Sequence, residues 1–336
     1  MTAAGLLAQV VRGDLVESEH HGHLVVLAPD GTIRLSAGDP AAVIWPRSSL
    51  KPVQAVAMLR AGLDVDDRQL ALACASHGGT PEHLGVVLSI LAGVGLTEAD
   101  LQNTPDLPLD ADASLAWRVA GRPACSLTQN CSGKHAAMLA TCVAAGWDPR
   151  TYRDPGHPLQ QAVVETVADL TGVRVGHLTV DGCGATLPST TVEGLARALG
   201  RIAGAPIAAP ESPEARVARA MAAHPMLVGG PGRDVTRFME SVPGLVAKDG
   251  AEGVYAAALA DGSAVAFKIA DGSARPRAAV LAAALELLLL DRQADVAGRV
   301  AVDAAVEAVR RVGSTPVLGH GRPVGEVRAL AGQVQR

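Results

Sequence analysis

The segment Trp45-Pro46-Arg47-Ser48-Ser49-Leu50-Lys51-Pro52 marks the point where a short strand passes into a helix. Ser48 and Lys51 are three residues apart, so on a helix they share one face, about one turn apart. A serine hydroxyl becomes a nucleophile when a neighbouring base takes its proton, and a lysine can do so only as the neutral amine. A helix N-terminus also supplies backbone N–H groups that stabilise an oxyanion. On its own, however, Ser-x-x-Lys more often marks a serine N-cap with a surface lysine.

A loop serine and a second lysine favour the catalytic interpretation. Enzymes with Ser-x-x-Lys often add a polar residue on a loop and a lysine on a late strand of the same pocket. Apolar residues flank Lys268 within a predicted strand, and Ser76 begins the loop Ser76-His77-Gly78-Gly79. Two alternatives stay open, an edge-strand lysine that blocks aggregation and a simple glycine-rich turn. No acidic partner for His77 that would complete a Ser-His-Asp set can be recognised in the sequence.

A third group of residues predicts a metal site. Cys131 and His135 lie in Gln129-Asn130-Cys131-Ser132-Gly133-Lys134-His135, and Cys183 lies in the tight loop Asp181-Gly182-Cys183-Gly184. Two thiolates and a neutral nitrogen suit zinc, and spacing alone favours His135 as the third ligand. Because there is no Cys-x-x-Cys pair, two reduced, buried cysteines remain the alternative. A nucleotide-binding phosphate loop is excluded, since Gly133-Lys134 lacks the upstream glycine and the following Ser/Thr.

Three further motifs each have a functional interpretation and a purely structural one. The glycine-rich turn 229–234 contains Arg233, which suits pairing with a carboxylate, although such a run is more often only a turn. Glu252 offers a carboxylate beside a strand, or is an exposed loop acid. His20-His21-Gly22-His23 resembles a metal tract, and an exposed strand edge explains it as well.

The composition of the chain limits the classes of partner that the protein can bind. The 336 residues are 49% hydrophobic, 19% charged and only 2% aromatic, with a net charge of -5. A sizeable core is expected, without the basic, base-stacking surface that nucleic acid or an anionic membrane requires. The apolar run 278–290 is too short for a bilayer. The N-terminus lacks the basic start of a signal peptide, and five cysteines fit reduced thiols, so we expect a cytoplasmic protein with a small-molecule substrate.

Periodicity predicts strands, then helices, then a hairpin followed by terminal helices. Strands at 24–27 and 32–35 flank a Pro-Asp-Gly turn, and strands at 254–259 and 264–269 flank an Asp-Gly turn. This order predicts an α+β fold with helices packed against an antiparallel sheet, in a single domain of residues 1–336 or in two merged lobes. The predicted helices are 51–62, 84–95, 134–146, 159–170, 216–223, 278–290 and 300–312.

Six blocks, taken together and in this order, resemble the Rhizobium etli-type L-asparaginases, or asparaginase II family. The resemblance covers about residues 10–318, and it implies a serine β-lactamase/glutaminase-like fold, a homodimer, and hydrolysis of L-asparagine to L-aspartate and ammonia. A penicillin-binding or β-lactamase-like serine hydrolase and a non-catalytic amino-acid-binding protein are the alternatives. The blocks are Arg47 to Gln54, Ser76 to Gly79, Asn130 to His135, Asp181 to Gly184, Lys248 to Gly253 and Phe267 to Gly272.

The resemblance also implies roles for individual residues. It assigns two serine–lysine pairs, Ser48 with Lys51 and Ser76 with Lys268. It replaces His135 as a zinc ligand by Lys134, which binds only as the free amine, beside the two cysteines. Arg47 and Asp181 would hold the site and the substrate's α-amino end. The expected substrate-binding residues are Arg47, His77, Asp181, Gly250 and Glu252, and the expected zinc ligands are Cys131, Lys134 and Cys183.

Overall fold

One antiparallel sheet contains strands from both ends of the chain. The computed structural model describes residues 3–291 and 296–330, so short parts of the predicted domain 1–336 lie outside the described residues. The main sheet has the order β11-β12-β1-β2-β10-β9-β8, and β3 pairs with the second half of β2. The strands are β1 (Gly5–Arg12), β2 (Leu15–Leu27), β3 (Ile33–Ala37), β4 (Val43–Ile44), β5 (Leu178–Val180), β6 (Thr186–Pro188), β7 (Thr190–Thr191), β8 (Val246–Asp249), β9 (Val254–Ala258), β10 (Ala264–Ile269), β11 (Pro316–Gly319) and β12 (Arg322–Ala329).

Helices cover both faces of this sheet. Side chains alternate between faces along a strand. Ala264 faces α7, because Gly200 of that helix lies against it, whereas Tyr255 faces the opposite side and contacts Phe238 of α10. The helices are α1 (Lys51–Arg60), α2 (Asp67–Ala73), α3 (Pro81–Gly93), α4 (Ala111–Val119), α5 (Ser132–Ala145), α6 (Pro158–Thr171), α7 (Val192–Ala208), α8 (Pro213–Ala223), α9 (Pro225–Val228), α10 (Asp234–Ser241), α11 (Arg277–Leu290) and α12 (Val296–Gly313).

The predicted α+β architecture is confirmed, with both predicted hairpins and all seven predicted helices in place. Helix α5 ends at Gly146, whose φ of +69° is the left-handed conformation that glycine adopts without strain. Helix α3 begins three residues before the predicted start, because Thr80 and Pro81 form its cap and first turn. In the described part of the chain, no helix has the length and apolar character needed to cross a membrane.

The positions of β2 and its neighbour β10 inside the sheet exclude two interpretations that the sequence left open, an exposed edge for the histidine tract and an edge strand for Lys268. Strand β2 lies inside the sheet, so the histidine tract is not an exposed edge: His20 is 7% exposed, and its Nδ1 lies 2.8 Å from Asp271 Oδ2. Its neighbour β10 pairs with both β2 and β9. Lys268 on β10 is therefore not an edge-strand lysine.

Candidate active site

The turn ahead of α1 places Ser48 at a cleft. Arg47–Leu50 form a 3-10 helix that continues into α1, and Ser48 lines a cleft of about 670 Å³. Arg47 has a φ of +53°, a left-handed conformation that costs a non-glycine residue about 1–2 kcal/mol. Its Nε donates a 2.7 Å hydrogen bond to Asp181 Oδ1. Strain of this kind persists where surrounding contacts hold it, and here it lies beside the predicted nucleophile.

Lys51 points from α1 to the second predicted serine. Its side chain is buried, and its Nζ donates a 2.5 Å hydrogen bond to the backbone oxygen of Ala75. The same nitrogen lies 3.1 Å from Ser76 Oγ. Ser48 and Ser76 both line the cleft, and Lys51, which is buried and does not line it, links the two serine-bearing segments.

A second buried lysine, Lys248, stands at the end of β8. Its Nζ donates to the backbone oxygen of Asp249 at 2.8 Å and to Asp249 Oδ1 at 2.6 Å. Burial lowers the pKa of Lys248 to about 8; Asp249 opposes this shift, and the nearby Lys51 reinforces it. A lysine with such a pKa supplies a useful fraction of neutral amine near physiological pH.

Gly250 allows β8 to approach the turn that carries Ser48. A Cβ atom built on Gly250 would lie 2.8 Å from the backbone oxygen of Pro46 and 3.4 Å from the amide nitrogen of Ser49. The first distance is shorter than any ordinary carbon–oxygen contact, so the position has no room for a side chain. Gly250 also lines the cleft, as its predicted role in substrate binding requires.

Charged residues form the remaining wall of the cleft. Arg233 Nη2 donates to Asp249 Oδ2 at 2.6 Å, and Arg277 Nη1 lies 3.8 Å from the same oxygen. Burial alone would raise the pKa of Asp249, but Lys248 and the two arginines hold it well below its usual range. Burial and the charge of Asp249 raise the pKa of Asp234, which lines the same wall. Asp110 and Asn130 complete the polar lining.

The three predicted zinc ligands lie together, buried beside the cleft. Lys134 Nζ is 3.2 Å from Cys183 Sγ, and none of the three side chains is more than 4% exposed. A hydrogen bond from Cys131 lowers the pKa of Cys183 to about 4 against the effect of burial, and Lys134 reinforces the shift. The pKa of the Cys131 thiol rises to about 12, chiefly because of that same hydrogen bond. The lowered pKa of Cys183 favours its thiolate form next to Lys134.

The donor set fits zinc, provided the lysine loses its proton. Among residues 3–291 and 296–330, no three His, Cys, Asp or Glu side chains cluster closely enough to hold a metal ion. A metal here would therefore need the Lys134 amine as its third protein ligand, beside the two sulfurs. His135, which spacing alone favoured, instead places Nδ1 2.7 Å from the Tyr152 hydroxyl.

Of the five predicted substrate-binding residues, only Gly250 lines the cleft; Arg47, described above, does not, and neither do the other three. His77 is buried: its Nδ1 accepts from the amide of Gly79, which leaves the proton on Nε2, 2.9 Å from Ser132 Oγ. Through this contact, His77 stabilises the position of the segment at the start of α5. Glu252 is exposed in a left-handed conformation, with a φ of +59°. Asp181 accepts from Arg47 and Gly182; burial would raise its pKa, but Lys134 and Arg47 lower it overall.

The predicted pairing of Ser76 with Lys268 is not found. Lys268 Nζ donates to the backbone oxygens of Glu252 at 2.7 Å and Ile269 at 2.5 Å, and Lys268 is absent from the lining of the cleft. The physical reason is topological: β10 lies two strands away from β8, and it is β8 that leads into Asp249 and Gly250 of the cleft wall, directly after the buried Lys248. Lys268 instead holds the loop 250–253 through the carbonyl of Glu252.

Sequence reasoning overlooked Lys248 and Arg277 as site residues. Lys248 carries the same local signal as Lys268, since apolar residues precede each lysine and Asp-Gly follows within three positions. Only strand order distinguishes the two lysines. Arg277 carries no comparable signal, because it merely opens an alanine- and leucine-rich helix.

Comparisons with known proteins give a family match over most of the chain. Residues 8–329 match the sequence model of the family described as L-asparaginase II. No curated protein shows significant sequence similarity to the chain. Similar solved structures include Mglu in its native form, with 18% identity over 80% of this chain and 63% of that chain, at a TM-score of 0.43. Mglu in its glutamate form has 17% identity over 79% and 59%, at a TM-score of 0.46.

A β-lactamase from Mycobacterium bovis is also similar, with 16% identity over 75% of this chain and 88% of that chain, at a TM-score of 0.40. The chain spans 63% of the length of the native Mglu structure and 61% of the form with tris and glutamate.

Proposed function

The chain belongs to the L-asparaginase II family and is thus an amidohydrolase of the asparaginase/glutaminase kind, and from that premise we propose that it hydrolyses L-asparagine to L-aspartate and ammonia. The observation that carries the proposal is the 3.1 Å contact between Lys51 Nζ and Ser76 Oγ, because Ser76 lines the same cleft as Ser48. Serine beside a buried lysine is the chemistry that acyl transfer from an amide requires.

In the first step, Ser48 Oγ attacks the side-chain amide carbon of the substrate. Lys51 accepts the hydroxyl proton and delivers it to the leaving nitrogen, so that ammonia departs and an aspartyl ester remains on Ser48. The location of Ser48 in the turn ahead of α1 supports this step, because the first N–H groups of a helix lack helical acceptors and can stabilise the oxyanion. The location of Lys51 three residues after Ser48, on the same helical face, supports its role as the base.

In the second step, water attacks the ester carbon and releases L-aspartate. We assign the proton transfer from water to Ser76, which Lys51 contacts, and to the second buried lysine, Lys248. Its burial, its pKa of about 8 and its location at the cleft end of β8 support this assignment. Lys268, whose amine is occupied by two backbone oxygens, is left with a positioning role.

Zinc, if bound, would be held by Cys131, Cys183 and Lys134. When bound it would supply a fixed positive charge beside the cleft, which helps to orient the substrate. Lys134 must then be present as the amine, so metal uptake releases its proton. Asp181, paired with Arg47 near this group, is proposed to bind the substrate's α-amino end.

Two finer expectations from the family also belong to the proposal. We propose a homodimer, which sedimentation velocity at several concentrations would test. We also propose a cytoplasmic location, which fractionation of the cells that make the protein would test.

Ammonia release from L-asparagine and L-glutamine, measured in parallel, tests the proposed reaction. Ser48→Ala should lower kcat for L-asparagine by about 10⁴-fold or more, since the nucleophile is lost. Ser89→Ala, on the far helix α3, is the control and should leave kcat unchanged. Near-full ammonia release by a folded Ser48→Ala protein would contradict the mechanism, and wild-type protein that releases no ammonia from L-asparagine would contradict the function.

A further inference from the structure

The guanidinium of Arg277, in the wall of the cleft, has few hydrogen-bond acceptors for its N–H groups. Its side chain is 15% exposed, and its Nη1 donates to the backbone oxygen of Gly250 at 2.9 Å. The guanidinium also lies 5.7 Å from the centroid of the Tyr255 ring. Its Nε is buried with no acceptor among the described residues. A guanidinium carries five N–H donors, so Gly250 takes only one of them.

The nearest carboxylate, Asp249, interacts with Arg277 through charge but makes no hydrogen bond to it. Asp249 Oδ1 accepts from Lys248 and Oδ2 accepts from Arg233, each at 2.6 Å. The 3.8 Å separation between Arg277 Nη1 and Asp249 Oδ2 is too long for a hydrogen bond. Asp234, on the same wall, directs its Oδ1 to the amide of Val235. The wall therefore offers guanidinium N–H donors that no carboxylate of the described residues accepts in a hydrogen bond.

We propose that Arg277 binds the α-carboxylate of the substrate and so makes a free amino-acid carboxylate a condition for efficient hydrolysis. The inference rests on the proposed amidohydrolase function. An arginine fork matches a carboxylate in shape as well as in charge. Arg277 is also coupled to the reacting end of the cleft: it bonds to Gly250, and Gly250 packs on the turn that carries Ser48. A carboxylate held by Arg277 would thereby fix how far the side-chain amide reaches towards Ser48.

Paired substrates test this role. L-Asparagine and β-alaninamide differ only in the α-carboxylate, which β-alaninamide lacks. Arg277→Gln should lower kcat/KM for L-asparagine by on the order of 100-fold, mainly through KM, because the carboxylate loses its charged partner. For β-alaninamide, kcat/KM should change by less than about threefold, because no contact is lost. Arg277→Lys, which keeps the charge without the fork, should fall between wild type and Arg277→Gln.

The matched control is Arg275→Gln, which removes an exposed arginine two residues before Arg277. This variant should behave as wild type with both substrates. Equal losses for L-asparagine and β-alaninamide in Arg277→Gln would overturn the proposal, because they would mean general damage to the cleft. Unchanged kcat/KM for L-asparagine would overturn it as well.

A binding measurement separates this inference from the proposed reaction. Calorimetry with L-aspartate and β-alanine, which differ by the same carboxylate, requires no turnover. Tighter binding of L-aspartate that is lost in Arg277→Gln would support the carboxylate site even in a protein that fails to hydrolyse L-asparagine. Equal binding of the two ligands by wild-type protein would refute the carboxylate site, whatever the activity.

Discussion

Two buried lysines, each next to a residue that lines the cleft, are an unusual chemical feature of this part of the molecule. Lys51 and Lys248 are 1% and 0% exposed, and the charge of Lys51 adds to burial in lowering the pKa of Lys248. Lys248 pairs with Asp249, whereas Lys51 bonds to the neutral oxygens of Ala75 and Ser76. An arrangement that favours loss of a proton suits a catalytic base better than a structural ion pair.

The pKa of Lys248 predicts a pH dependence of turnover. Because its pKa is lowered from 10.5 to about 8, the neutral amine is scarce below pH 8 and predominates above it. If this amine takes a proton during turnover, kcat for L-asparagine should rise as pH increases from about 7 to 9 and then level off. Stopped-time ammonia assays across that range would measure the profile.

Two variants decide whether Lys248 is responsible for that rise. Lys248→Gln should lower kcat by about 10²–10⁴-fold, the usual contribution of a general base, and abolish the rise. Lys268→Gln is the matched control and should keep the profile, because Lys268 bonds to backbone oxygens and does not itself line the cleft. A flat wild-type profile, or loss of the rise only in Lys268→Gln, would contradict the assignment of Lys248.

Zinc content tests the buried Cys131, Lys134 and Cys183 group. Freshly purified wild-type protein should contain about one zinc per chain, and Cys131→Ser should contain far less, because a hydroxyl is a poor zinc ligand at neutral pH. Cys125→Ser is the control, since Cys125 contacts Thr128 and a serine can keep that contact. Plasma mass spectrometry gives the stoichiometry. Equal zinc in Cys131→Ser and wild type, or no zinc in either, would remove the metal from the scheme.

At the residue level, the sequence predicted which segments come together more reliably than it predicted which side chains take part in the reaction. The motifs and their order were enough to predict that Ser48, Ser76 and the three candidate metal ligands lie in one region. They could not distinguish Lys248 from Lys268, because both follow apolar residues on strands and both precede Asp-Gly. Their difference depends on which strand ends at the Ser48 turn, and that is a property of the sheet.

At the level of elements, the contact between β8 and the 3-10 helix assembles the cleft. It depends on Gly250, where a Cβ would lie 2.8 Å from Pro46 O. Gly250→Ala should push the two elements apart, lowering the free energy of unfolding by about 1–3 kcal/mol and kcat by more than tenfold. Urea unfolding and ammonia assays on the same preparation would measure both effects.

A glycine in open space provides the comparison for Gly250. A Cβ atom added to Gly85, inside α3, would have no other atom within 4 Å, so Gly85→Ala should stabilise the protein by about 0.5–1 kcal/mol without affecting kcat. If Gly250→Ala behaved like Gly85→Ala, the close approach of β8 to the Ser48 turn would not matter for activity.

Elements with strong local signals could be predicted, and those defined by tertiary pairing could not. The Asp-Gly turn between β9 and β10 and the glycine after α5 are local features that hold in isolation. Strands β11 and β12 carry mostly exposed residues and little alternation, so no core-facing pattern marks them. They exist because β12 pairs with β1, some 300 positions earlier in the chain.

On the scale of the whole molecule, the sheet separates the chain ends from the cleft. β12 covers β1 near one edge, while β8, with Lys248, forms the other edge. Ending the chain after Gly313 would expose the backbone of β1, and unpaired edges promote aggregation. This truncated protein should have a lower Tm and show concentration-dependent light scattering, but its soluble fraction should retain the KM for L-asparagine. A Tm equal to that of the full chain would contradict the stabilising role given to β12.

The central claim, acylation of Ser48 by an asparagine side chain, can be tested by locating the covalent intermediate. Trypsin places Ser48 and Ser76 in separate peptides, 48–60 and 69–118, because Pro52 prevents cleavage after Lys51. After acid quench of Lys248→Gln turning over L-asparagine, mass spectrometry should find one aspartyl group on peptide 48–60, and none there when Ser48→Ala is added. An aspartyl group on peptide 69–118, or continued ammonia release by Ser48→Ala with neither peptide modified, would contradict the account.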